Sequence, residues 1–171
     1  MSKDKFDYFI KGEKNKYEVI IGLEVHAQVS SNSTTYVSTG LQASITPRSA
    51  SNKIMVSFEH SIYHVNASNS DLWSVHGIKI KRGTQAIYTP VSSTGASNGP
   101  YDFGAMASSS TFNHYGRSKV EYLDSPATTG SITYSTEIAC YDGGGNVYVN
   151  YGLGAQVVAP QSWMTLTEIT A

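Results

Sequence analysis

The stretch K-V-E-Y-L-D-S-P-A-T-T-G-S-I-T-Y-S-T-E-I-A, residues 119–139, decides the fold class. Val120 and Tyr122 alternate with polar neighbours until Asp124, Ser125, Pro126 and Gly130 interrupt the pattern. Ile132, Tyr134, Thr136 and Ile138 then alternate with Thr133, Ser135 and Glu137. Period-two alternation puts one set of side chains on one face of a strand, and Asp, Pro and Gly supply the turn. The stretch therefore reads as an antiparallel hairpin with one buried face. None of its residues forms a catalytic arrangement.

The same grammar extends outward. Residues 35–47 place Val37, Leu41, Ala43 and Ile45 on alternating positions, with Gly40 as a bulge or kink and Pro47 as a stop. In residues 53–65, Ile54, Val56, Phe58, His60, Ile62 and His64 share one face. Asn66 to Asp71 reads as a polar hairpin loop, and residues 72–82 return as a strand. A glycine turn at Gly83 leads to a short strand over 83–89. Residues 90–110 are rich in Gly, Ser and Pro and read as a loop with one short strand around Tyr101 to Met106. D-G-G-G-N, residues 142–146, reads as a wide hairpin turn before V-Y-V-N-Y, and S-W-M-T-L-T-E-I, residues 162–169, as the last strand. No window supports an amphipathic helix. Eight or nine strands point to an all-β chain, a closed or sandwiched antiparallel domain.

Composition narrows the function. With 12 basic and 13 acidic residues, the chain lacks the positive surplus that phosphate neutralisation requires, so no nucleic-acid partner is expected. The single cysteine, Cys140, rules out an intramolecular disulfide framework and reads as a small buried thiol. No apolar run of membrane-spanning length and no secretory h-region occur, so synthesis in the cytoplasm without membrane insertion is expected. The vocabulary changes near residue 30: residues 1–29 hold ten charges and one Ser, whereas the remaining 142 hold 15 charges and 38 Ser or Thr. This break divides the chain into an N-terminal extension, 1–33, and a β domain, 34–171.

Each candidate site has a plainer reading. His60 and His64 lie about 13 Å apart along a strand at about 3.3 Å per residue, too far for one ion. With His76 facing them from the next strand and His114 isolated, they read as core or interface histidines. D-G-G-G-N precedes a strand, not a helix, and so lacks the N–H groups of a phosphate cradle. Asp142 alone falls short of a calcium ligand set. Asn32 and Asn66 match the glycosylation pattern by chance. Tyr63, Tyr88, Tyr101, Tyr115, Tyr148 and Tyr151 suit either a ligand-binding surface or core and interface contacts, since tyrosine joins rigid area to a polar tip. No catalytic, cofactor or metal residue is expected.

Two resemblances add to this. G-L-E-V-H-A-Q, Gly22 to Gln28, within residues 16–33, resembles the opening signature of the B subunit of glutamyl/aspartyl-tRNA amidotransferases. It implies a metal-assisted kinase site in which Glu24 and His26 would take part. The sequence then departs from that family, and one carboxylate with one imidazole cannot hold magnesium and nucleotide. Over residues 34–171, T-Y-V-S-T-G-L, S-I-T-P-R-S-A-S-N-K-I-M-V, I-K-R-G-T-Q-A-I, Y-L-D-S-P-A-T-T-G-S-I-T-Y, N-V-Y-V-N and S-W-M-T-L-T-E-I, in that order, resemble a structural domain of tailed phages, marine phages especially. That resemblance implies a jelly-roll-like β-sandwich, homotrimeric, displayed on the virion as a tail-fibre-like or decoration protein with no catalytic residues. Its partners would be other copies, other virion proteins and a host-surface glycan or receptor. The rival expectation is a carbohydrate-binding or adhesion module using Trp73, Trp163 and the tyrosines as a stacking platform.

Overall fold

The computed structural model describes residues 18–21, 27–66, 73–90, 103–106, 112–140, 145–152 and 161–170. Among these there is no helix, and eleven strands form two antiparallel sheets, so the chain is an all-β sandwich. The strands are β1 (Glu18–Ile21), β2 (Val29–Ser31), β3 (Val37–Ile45), β4 (Lys53–Asn66), β5 (Trp73–Arg82), β6 (Gln85–Tyr88), β7 (Phe103–Met106), β8 (Phe112–Asp124), β9 (Ile132–Cys140), β10 (Gly145–Val149) and β11 (Trp163–Ile169). β1 and β2 come from the first 33 residues, for which an extra strand through Tyr17–Val29 or an anchor to another virion protein is expected, and they pair with β11 and β10.

β4 organises the six-stranded sheet. One of its edges pairs with β8 over its whole length from Ile54 to Asn66. Its other edge carries β11 beside Lys53 to Glu59 and β10 beside Ile62 to Asn66, end to end. In the five-stranded sheet the order is β3-β9-β5-β6, with β7 also on β5. β5 and β6 are a true hairpin whose turn needs the left-handed φ of Gly83, +58°. Gly40 has φ +78°, and the β3–β9 register shifts between Ser38 and Gln42, so the expected bulge is present.

The pairing overturns three expected hairpins. β8 lies in the first sheet and β9 in the second, so residues 119–139 form an arch from one sheet to the other. The same holds for β4 and β5 around Asn66 to Asp71, and for β9 and β10 around D-G-G-G-N. Residues 67–72 and 141–144 themselves lie outside the described residues. The physical reason is that alternation reports which face is buried, not which strand lies alongside. Both strands of an arch bury their faces against each other, across the core. Repeated alternation between sheets is what makes the sandwich jelly-roll-like.

Between the sheets lie Ile54, Val56, Phe58 and Ile62 of β4, Val147 and Val149 of β10, and Met164 and Leu166 of β11. Opposite them are Leu41 and Ile45 of β3, Ile78 and Ile80 of β5, and Ile132, Tyr134 and Ile138 of β9. Cys140 is buried, as expected.

Two buried carboxylates tie the ends of this core. Asp124, 6% exposed, closes the 119–139 arch. Arg82 Nη1 donates to its Oδ1 and Oδ2 at 3.1 and 3.0 Å, and Tyr134 Oη donates to Oδ2 at 2.7 Å. β8 is thereby joined to β5 and β9 of the other sheet. Glu168, 3% exposed, accepts from Arg48 N at 2.7 Å and Asn52 Nδ2 at 2.6 Å, fixing the β3–β4 connection against β11. Removing one member of such a pair strands the others. Asp124→Ala is expected to lower unfolding free energy by about 2–4 kcal/mol, read as a reduced urea midpoint, and Asp124→Asn by less because its carbonyl still accepts.

Candidate functional site

Two clusters of chemically capable side chains arise on β4, one on each face. Even-numbered residues point into the sandwich, and there His60 and His64 interrupt the apolar row. His60 Nε2 lies 2.9 Å from Thr136 Oγ1, which lies 2.6 Å from Thr39 Oγ1; Thr39 Oγ1 in turn lies 3.1 Å from Thr136 O. His64 Nε2 meets His76 Nδ1 at 2.9 Å. His76 faces His64 from β5, the next strand in the chain as expected, but does so across the core from the opposite sheet and not as a hairpin partner. His114 lies across from His64 on β8 but is exposed. Among the described residues, no group of three or more His, Cys, Asp or Glu is placed to hold a metal ion.

Burial governs how these imidazoles titrate. Desolvation lowers His60 to about 3. It lowers His64 to about 4, with His114 opposing further positive charge. It also holds His76 well below the ordinary value, helped by His64 and His60. The His64–His76 contact needs one ring nitrogen to donate and the other to accept, which two neutral tautomers satisfy. The seam is thus a neutral polar joint between the sheets.

The outer face of the same sheet carries the second cluster. Tyr63 on β4 lies directly opposite Tyr115 of β8 on one side and Tyr148 of β10 on the other. Its ring stacks on Tyr115 (centroids 4.2 Å apart, planes at 24°) and on Tyr151 (4.4 Å, 19°). Tyr148 tilts against both Tyr63, at 5.9 Å, and Tyr151, at 4.9 Å. Tyr151 reaches the stack because Asn150 takes a left-handed φ of +57°, a conformation asparagine tolerates. Asn150 N donates to Ser61 O at 3.0 Å, and its Oδ1 accepts from Ser162 Oγ at 2.7 Å. Burial, joined by Tyr115, raises the Tyr63 hydroxyl above its ordinary value.

Of the other sequence candidates, Tyr88 lies 6.0 Å from Tyr122, away from this cluster. Trp163 sits on the outer face opposite Glu59. Glu24, His26, Tyr101 and Asp142 lie outside the described residues, and only the backbone of Trp73 is described. Sequence reasoning named four of the tyrosines that converge but had no means to bring them together, because the cluster depends on the β8–β4–β10 register. Thr136, the partner of His60, and Thr39, which bonds Thr136 in turn, were missed; their inward parity was the available signal.

No protein-family model matches the chain. Over 33 residues, 19% of its length, the chain is 64% identical to the B subunit of the aspartyl/glutamyl-tRNA(Asn/Gln) amidotransferase of Pelagibacter ubique (strain HTCC1062), and it spans 7% of that protein. Among solved structures it is similar to the infectious bursal disease virus VP2 subviral particle, with a TM-score of 0.38 and 9% identity over 93% of this chain and 38% of that one. It is also similar to the T13 IBDV viral particle, with a TM-score of 0.31 and 12% identity over 92% and 36%.

The histidine seam has a pH consequence. The folded pKa values lie below the unfolded value of 6.5, so between pH 6.5 and 4 the unfolded chain binds more protons. Stability is fully present above pH 6.5 and is lost as the pH falls through that window. Each buried histidine contributes a limiting slope of about 1.4 kcal/mol per pH unit. Urea midpoints should therefore be level above about pH 7 and fall towards pH 5, and His60→Gln should lessen the slope by about a third.

Proposed function

We propose that this chain is a non-enzymatic structural protein of a phage virion, tail-fibre-like or a surface decoration. It assembles as a homotrimer with other virion proteins and presents an outer face to the host surface. The observation that carries this reading is where the ordered motifs of the phage resemblance fall. Asn52, Arg82, Asp124, Tyr134 and Glu168 all lie within those motifs, and together they form the two buried carboxylate knots. The motif series is thus a set of structural joints for a two-sheet scaffold rather than a constellation around a reacting atom.

The surface chemistry supports the same reading. Hydroxyl-bearing side chains and few charges suit a stiff sandwich that works by display. Strand edges need covering, and packing of copies around a three-fold axis provides it. Sedimentation equilibrium of the full chain is expected to return a mass three times that of the 18.5 kDa protomer. A concentration-independent monomer would remove the fibre reading.

A further inference from the structure

The stacked tyrosines occupy a setting that restricts what could lie on them. Tyr63 is held between Tyr115 and Tyr151, so the platform is rigid before any ligand arrives. Tyr115, at the β8 end of the stack, is 44% exposed. Rigid aromatic area binds at low entropic cost, and the phenolic tip accepts and donates hydrogen bonds.

The next rows on the same face are polar. Two residues along from Tyr115 on β8, Arg117 pairs with Glu59 of β4. Lys119 follows and pairs with Glu121. Ser57 and Ser61 of β4, and Thr165 and Thr167 of β11, share this outer face by strand parity. Trp163 lies opposite Glu59, about 13 Å from Tyr63 along the strand direction at about 3.3 Å per residue. The face therefore offers two aromatic stations, with the Arg117–Glu59 pair beside both and the Lys119–Glu121 pair, Lys53 and hydroxyls further along the strands. An apolar protein partner would bury the Arg117–Glu59 pair and the neighbouring hydroxyls without offering them any further hydrogen bond. A strongly charged ligand would have to compete with the Arg117–Glu59 and Lys119–Glu121 pairs.

We infer that the outer face of the β8–β4–β10/β11 sheet is a binding site for a neutral oligosaccharide, with a pyranose ring seated on Tyr115 and its hydroxyls bonded to the diagonal Arg117–Glu59 pair. A pyranose fits because it has an apolar C–H face for the ring and a rim of neutral hydroxyls for groups of both signs. Trp163 provides a second stacking position for a neighbouring sugar. The inference deepens the host-attachment part of the proposed function, and only the placing of the sugar on a host surface rests on that reading.

The test is an NMR titration of the full chain with three probes: trisaccharides of glucose, of galactose and of N-acetylglucosamine. Saturable shifts of the tyrosine ring signals are expected with at least one probe, with a dissociation constant on the order of 1 mM. Tyr115→Ala should weaken that binding tenfold or more, Arg117→Ala should weaken it severalfold, and Leu123→Ala, at the far end of β8, should leave it unchanged. Far-ultraviolet circular dichroism verifies that each variant is folded. No saturable shift with any probe, or undiminished binding by folded Tyr115→Ala, overturns the inference. A change of oligomeric mass in Tyr115→Ala would assign the stack to contacts between copies and overturn it likewise. A monomer that binds sugar removes the fibre reading alone; a trimer that binds none removes this inference alone.

Discussion

Asp124 marks the place on which the architecture turns. At this residue the chain leaves one sheet, and Tyr134, on the returning strand, donates to the same carboxylate that Arg82 grips from β5. A buried carboxylate without such partners would be too costly to retain, so the three side chains specify one another. The consequence is geometric. β8 must run with β4 in one sheet, and β9 must run between β3 and β5 in the other. Once that crossing is set, β4 has β8 along one edge, and its other edge is left for β10 and β11 to share.

Face parity was legible from the residues, but neighbourhood was not. The inward set on β4, the bulge at Gly40 and the β5–β6 turn at Gly83 all follow from local chemistry, because each depends on side-chain alternation or backbone φ. The arches do not. Alternation is the same whether two successive strands lie side by side or face each other across a core. One signal did favour an arch: S-P-A-T-T-G-S, residues 125–131, is longer than the two to five residues common in hairpin loops. A second was Asp124 itself, a carboxylate at an inward position, which needs a partner from across the core.

The candidate sites show the same boundary. Their residue types were visible, and their histidine and tyrosine content could be counted. What brings His76 to His64 is the stacking of two sheets, and what brings Tyr115, Tyr63 and Tyr148 into one row is the β8–β4 register, set over thirteen paired positions, together with the β10–β4 register, set over five. Register is a sum over many weak pairings, so no single residue announces it. Asn150 is the nearest to an exception: an asparagine with left-handed φ directs Tyr151 onto the stack.

β4 therefore serves two masters through strand parity alone. Its even residues meet the other sheet, where His60 and His64 replace apolar contact with hydrogen bonds made by rings whose charging is disfavoured by burial. Its odd residues face outward, where Glu59 and Tyr63 anchor an ion pair and a ring stack. The two faces respond to different conditions: acidification loads charge onto the inner seam, whereas the outer stack is held by ring contact. The ring stack therefore rests on a strand whose inner face responds to acid. Acid would remove the outer face by dissolving its support, with Tyr63 losing its neighbours only when β4 loses the opposite sheet.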